Sequence, residues 1–135
     1  MKHIMVPIDG SEPAYRALEF ATKLAKGMDA ELSVLIVREF IVSINGVSVV
    51  LDFDEIAGIK NKVHEMMMSL QAADLKILVE ESRDAAYTIV DVAIEKQADL
   101  IVMGASGRSG IKKVLLGSVS QEVLRKSACP VTIVH

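Results

Sequence analysis

The most informative stretch of this 135-residue chain is Leu100-Ile101-Val102-Met103-Gly104, an apolar run that leads into a segment rich in glycine, serine and cations. The run lacks polar alternation, which is typical of a parallel strand buried on both faces. Of the eight glycines, Gly104, Gly107, Gly110 and Gly117 fall between positions 104 and 117. Glycines gathered behind one strand indicate a backbone that approaches a ligand closely.

Similar apolar runs alternate with longer segments of helical period along the chain. The first helix carries signals at both ends. Ser11 is suited to cap its start, Pro13 follows in its first turn, and Gly27 is placed to end it. The pattern predicts one α/β domain over residues 1–135, doubly wound and Rossmann-like, with a five-stranded parallel sheet and helices on both faces. The predicted strands are 3–8, 32–37, 76–79, 100–103 and 131–134, and the predicted helices are 11–27, 54–73, 84–96 and 119–126.

Residues 39–53 break this rhythm, because they are apolar and β-prone where a connection is expected. Asn45-Gly46 favours a tight primed turn between two β arms, which predicts a small hairpin. A mobile apolar flap beside a ligand site and a partner-binding surface are alternatives that the sequence leaves open.

The composition excludes several classes of protein. Fifteen Lys and Arg against eighteen Asp and Glu give a net charge of −3, so the chain lacks the basic stripe of a nucleic-acid-coating protein. Hydrophobic residues make up 51% of the chain, yet no apolar run reaches the roughly 18 residues of a membrane span. The start turns charged too early for a signal peptide, and Cys129 alone cannot form an internal disulfide. We therefore expect a cytoplasmic protein that binds neither nucleic acid nor membrane.

Two segments stand where ligands bind in open doubly wound sheets, beyond the carboxyl ends of the strands. Asp9-Gly10-Ser11 follows the first strand, and the glycine-rich segment follows the fourth. Gly117-Ser118-Val119-Ser120 then opens a helix whose free amides and positive dipole end suit a phosphate. A flexible glycine-rich connection is the alternative, but glycines, hydroxyls and a helix start together favour an anion site.

Other phosphate motifs are excluded. Neither Lys112 nor Lys113 follows a glycine, so the chain has no P-loop. Only Gly10 follows the first strand, so the dinucleotide fingerprint is also missing and a nicotinamide dehydrogenase is not expected.

The spacing Gly104-x2-Gly107-x9-Gly117-Ser118 resembles the ATP-binding motif of the universal stress protein (UspA-like) family. The resemblance extends to residues 6–11, 98–104 and 129–131 and therefore covers essentially the whole chain. It implies the strand order 3-2-1-4-5 and a bound ATP, ADP or AMP, with Mg held through the phosphates. The stretch 80–85 departs from the family pattern, because it lacks the glycine that many relatives carry there.

The resemblance also implies roles for particular residues. Asp9 would contact the ribose or a metal on the phosphates, with capping of the first helix as its alternative or additional role, and the backbone of Val37 would meet the adenine. Pro7 and Ile8 would line the base pocket, and Met103 and Gly104 would contact ribose and phosphate. The phosphate chain would be surrounded by Ser106, Gly107, Gly117, Ser118, Val119 and Ser120, with Arg108 in the variable part of the motif.

Three functions fit this interpretation. The first is a nucleotide-binding regulatory protein with little or no turnover, because His3, His64 and His135 are dispersed and no catalytic residue is evident. The second is a slow Mg-dependent ATP hydrolase that uses Asp9. The third is a dimeric interaction protein in which the nucleotide is incidental. The resemblance implies a homodimer formed by antiparallel pairing of the last strand, Val131, Thr132, Ile133 and Val134.

Overall fold

The computed structural model describes residues 1–72, 75–105 and 116–135. This part of the chain forms six strands and four helices, which alternate except where two strands follow each other after the first helix. The strands are β1 (His3–Pro7), β2 (Glu31–Ser43), β3 (Gly46–Val49), β4 (Lys76–Ser82), β5 (Leu100–Gly104) and β6 (Val131–Val134). The helices are α1 (Glu12–Met28), α2 (Phe53–Ser69), α3 (Ala85–Glu95) and α4 (Ser118–Lys126).

The five predicted strands pair in parallel in the order β4-β2-β1-β5-β6, which is the expected order 3-2-1-4-5. The complete sheet differs in detail, because β3 adds a sixth strand that is antiparallel to the far end of β2. The expected five-stranded parallel sheet is therefore a six-stranded mixed sheet. Strand order reverses at β1, which places the carboxyl ends of β1 and β5 side by side.

Helices cover both faces of the sheet, as the apolar runs predicted. Side chains from α1 and α2 form one core against alternate residues of the central strands, such as Val6, Val34 and Val102. Side chains from α3 and α4 form a second core against the intervening residues, such as Met5 and Ile101. The central strands are buried on both faces, which explains the high hydrophobic content. Within the described residues, no helix is long and apolar enough to cross a membrane.

Helix α1 begins as its sequence predicts and ends later. The Ser11 side chain accepts a hydrogen bond from the Ala14 amide, which makes Ser11 the N-cap. Gly27, however, lies inside the helix, and the C-cap is Asp29 with a left-handed backbone at φ 53°. Aspartate tolerates this conformation because its short polar side chain bonds locally. The prediction that Gly27 ends the helix is therefore wrong.

The break in rhythm after residue 39 is the predicted hairpin. Its register pairs Phe40 with Val49 and Ser43 with Gly46, so Ile44 and Asn45 form the loop. Gly46 takes φ 116°, whereas Asn45 is not among the residues with positive φ. A type I′ turn on Asn45-Gly46 needs positive φ at both residues and a type II′ turn needs it at Asn45, so the primed turn on these two residues was predicted wrongly. Ile44 at the tip is fully exposed.

Candidate functional site

A cavity of about 230 Å³ lies beyond the carboxyl ends of β1 and β5 and beside the middle of β2, where the strand order reverses. The structure brings together at this cavity every predicted site residue that lies within the described part of the chain. Ser106, Gly107 and Arg108 lie outside the described residues. The predicted residues that line the cavity are Pro7, Ile8, Asp9, Val37, Met103, Gly104, Gly117, Ser118, Val119 and Ser120.

Gly104 is required at its position by packing. A Cβ on Gly104 would come within 2.7 Å of the carbonyl carbon of Pro13 and 2.8 Å of the Ala14 nitrogen. Both contacts are with the backbone of the first turn of α1, so no rotation of a side chain relieves them. The Ser120 hydroxyl donates a 2.9 Å hydrogen bond to the Gly104 carbonyl, which joins the end of β5 to α4.

The amino end of α4 opens onto the cavity. Its N-cap, Gly117, makes no side-chain cap hydrogen bond, and its amide donates to the Ala105 carbonyl at 2.9 Å. The first intrahelical bond runs from the Gln121 amide to the Gly117 carbonyl, so the amides of residues 118–120 precede the helical ladder. These amides and the positive end of the helix dipole can hold an anion at the cavity wall.

Asp9 and Ser11 form a local hydrogen-bonded unit at the end of β1. The Asp9 Oδ1 atom accepts from the Ser11 amide at 3.0 Å and from the Ser11 hydroxyl at 2.6 Å. Ser11, not Asp9, caps α1. The pKa of Tyr15 is raised by its own burial and then by the negative charges of Asp9 and Glu12. The carboxylates of Asp9 and Glu12 therefore lie near Tyr15 on this side of the site, and the Lys62 ammonium stands 5.0 Å from the centre of the Tyr15 ring.

Several lining residues were not predicted from the sequence. Glu39 follows Leu35 and Val37 on one face of β2, and its carboxylate Oε2 accepts a 3.0 Å hydrogen bond from the Ala85 amide at the start of α3. The period of two along β2 is the signal that could have found Leu35 and Glu39. No comparable signal existed for the residues that tertiary contacts bring in, which are Ala14, Val50, Leu51, Ala85 and Ile89.

A dedicated metal site is not part of this cavity as far as the structure describes it. Within residues 1–72, 75–105 and 116–135, no group of three or more His, Cys, Asp or Glu could hold an ion. The ionisable side chains among the described lining residues are Asp9 and Glu39. A cation here would need a ligand's own oxygens as partners.

The strand order, the two helical layers and the cavity at the reversal point define a doubly wound α/β domain with a ligand crevice. The model of the Universal stress protein family matches residues 1–135, so the chain belongs to that family.

Individual relatives agree with this assignment. Universal stress protein YxiE of Bacillus subtilis is 37% identical over 144 residues, which cover 98% of this chain and 97% of YxiE. The solved UspA of Lactobacillus plantarum has a TM-score of 0.83 at 24% identity, covers 99% of this chain and 97% of its own, and supports the fold. A universal stress protein solved in complex with cAMP has a TM-score of 0.76 at 28% identity, with 99% of this chain and 97% of its own covered.

Proposed function

We propose that this protein binds ATP, or the related ADP or AMP, in the cavity at the end of β1 and acts as a cytoplasmic regulatory protein with little or no turnover. The observation that carries the proposal is the meeting of the uncapped amino end of α4 with the predicted base-side residues in one cavity. The cAMP bound by a solved relative supports an adenine nucleotide as the ligand class.

The two ends of the cavity suit the two ends of a nucleotide. The base would lie among aliphatic side chains and the backbone of β2, near Pro7, Ile8 and Val37. The phosphates would lie at the first turn of α4, with the amides of residues 118–120 and the hydroxyls of Ser118 and Ser120 beside them. The Ser120 hydroxyl is engaged by Gly104, so the proposal assigns it to the shape of the site and Ser118 to the ligand.

Asp9 fits a magnesium ion carried by the phosphates. Both Ser11 donors reach Oδ1, which orients the carboxylate and leaves Oδ2 for a further contact. Mg²⁺ is commonly held by one or two carboxylates together with phosphate oxygens. The cation would also offset the repulsion between Asp9 and the phosphates. The same residue could instead accept a ribose hydroxyl when the nucleotide is bound without metal.

The proposal includes a homodimer formed through β6. Within the described residues β6 pairs with β5 alone, so its other edge is open. Val131, Thr132, Ile133 and Val134 are all half-buried and uncharged, which is the composition of an edge that pairs with another strand. Two copies could pair there about a two-fold axis.

Titration calorimetry with ATP tests the nucleotide proposal, with and without Mg. Ser118→Pro removes one amide from the first turn of α4 at a helix position that accepts proline, and Ser118→Ala removes only the hydroxyl. We expect the proline variant to lose about tenfold or more in ATP affinity, a value typical of one hydrogen bond to a charged group. Absence of binding by the parent protein at millimolar ATP would overturn the proposal. Phosphate release measured on the same samples separates binding from slow hydrolysis.

A further inference from the structure

Glu39 is held at the β2 side of the cavity by two hydrogen bonds. Its backbone carbonyl accepts the Val50 amide at 2.9 Å, which begins the hairpin, and its carboxylate Oε2 accepts the Ala85 amide at 3.0 Å. These two bonds anchor the residue to the hairpin and to α3 at once. No described residue donates to the other carboxylate oxygen, Oε1.

The surroundings of this carboxylate restrict what can lie against it. A carboxylate accepts hydrogen bonds and donates none. The hairpin end and α3, which Glu39 bonds through Val50 and Ala85, line the cavity with the aliphatic side chains of Val50, Leu51, Ala85 and Ile89. A ligand group that enters this corner must therefore present an N–H or O–H to Glu39, since a second acceptor would be repelled.

We propose that Glu39 selects the base by accepting a hydrogen bond from an exocyclic amino group, so that the site prefers 6-aminopurines. The inference rests on the proposed nucleotide function. Val37 and Glu39 are two residues apart on one face of β2, about 7 Å along the strand, which is the span of a purine ring system. Asp9 lies beyond the end of β1, beside the start of α1, and in the proposed pose its carboxylate serves the sugar or the phosphate-bound metal and not the base.

The test compares ATP with purine riboside 5′-triphosphate, which is the same molecule without the amino group. We expect the parent protein to bind ATP about tenfold or more tightly than the amino-free analogue, as a charge-assisted hydrogen bond implies. Glu39→Gln should abolish this ratio and leave the affinity for the analogue unchanged, because its one amide oxygen stays with the Ala85 amide and its NH2 group, a donor, then faces the ligand. Glu80→Gln, on the exposed part of β4, is the matched control and should retain the ratio.

Two readouts separate this role from a structural one. If Glu39 only supports α3, Glu39→Gln will weaken both nucleotides equally, and the inference is overturned. If 2′-deoxy-ATP or 3′-deoxy-ATP shows the selectivity instead of the amino-free analogue, the partner is a sugar hydroxyl and the inference is again wrong. Equal binding of ATP and the analogue by the parent protein overturns the inference alone. No binding of either one overturns the proposed function with it.

Discussion

The Cα atom of Gly104 lies so close to Pro13 that a Cβ would approach the proline carbonyl carbon to 2.7 Å. The first turn of α1 therefore packs directly against the backbone at the end of β5, with no room for a side chain between them. Because Ser120 also bonds to the Gly104 carbonyl, three elements of the cavity wall meet at one glycine. Gly104 therefore has a packing role that is independent of any ligand.

Gly104→Ala should lower the free energy of unfolding by about 1–3 kcal/mol, the usual cost of overpacking. Urea denaturation followed by circular dichroism measures it. Gly27→Ala is the control, since Gly27 lies inside α1 with nothing near its Cβ position, and it should raise stability by about 0.5–1 kcal/mol. A Gly104→Ala protein as stable as the parent would contradict the packing role.

Asp9→Asn should remove the effect of magnesium on ATP affinity. The amide oxygen can still accept from Ser11, so the end of β1 keeps its shape, but the negative charge that would hold Mg is gone. We expect the parent to gain about tenfold in affinity with Mg, equivalent to ~1.4 kcal/mol, and the variant to gain little. Calorimetry with ATP and excess Mg or chelator measures both. Asp54→Asn, on the first turn of α2, controls for net charge.

Asp99 makes stability depend on acid pH. Its Oδ2 atom accepts from the Lys2 amide at 2.8 Å and the His3 amide at 3.0 Å, and these bonds hold its pKa below the usual 3.8. A carboxyl group whose pKa is lower in the folded state than in the unfolded state contributes stability above the unfolded-state pKa. This contribution is lost as the pH falls from the unfolded-state pKa through the lower folded-state pKa. Asp99→Asn should therefore flatten the loss of stability below a pH of about 4.

Urea midpoints measured across the acid range check this prediction. Asp91→Asn, which removes an exposed carboxylate from α3, controls for the change in net charge. A parent and an Asp99→Asn protein with parallel acid profiles would show that the bonds to the chain start do not contribute.

The backbone of β6 identifies the residue to change in a test of the proposed dimer. The Ile101 amide donates to the Pro130 carbonyl and the Ala105 amide donates to the Val134 carbonyl. The backbone N–H and C=O groups of the even-numbered residues in this strand therefore point toward β5. Val131 and Ile133 therefore direct their amides to the open edge. Ile133→Pro should yield a monomer, while Ile133→Ala keeps the amide and should remain dimeric. The molar mass from light scattering distinguishes monomer from dimer. A proline variant with the mass of a dimer would contradict pairing through β6.

Much of the fold could be predicted because its signals are local. Apolar runs without polar alternation marked five strands, and Ser11 and Asp84 precede helices that their side chains cap. The ends of helices were less predictable. Asp29 ends α1 in place of Gly27. The position of the left-handed residue depends on where the chain turns out of the helix to enter β2, and the sequence of the helix does not specify that point.

Helix faces were predicted only in part. Helical period alone places Ile94 with Val90 on the apolar side of α3, yet 59% of Ile94 is exposed. Ile89 and Ala93 on the same helix are buried against the second core. Periodicity indicates which residues share a face, but the width of the buried stripe depends on how closely the neighbouring helix approaches.

The amino-acid sequence alone was enough for the doubly wound class, the family resemblance and the glycines at the end of β5, because strand runs, helix starts and motif spacing are properties of neighbouring residues. The convergence of Glu39, Leu51 and Ala85 on the cavity required the folded chain. Their contacts span segments far apart in sequence, and only the packing of β2, the hairpin and α3 brings them together. The acidic, aliphatic corner that gives the cavity its proposed selectivity is therefore a tertiary feature.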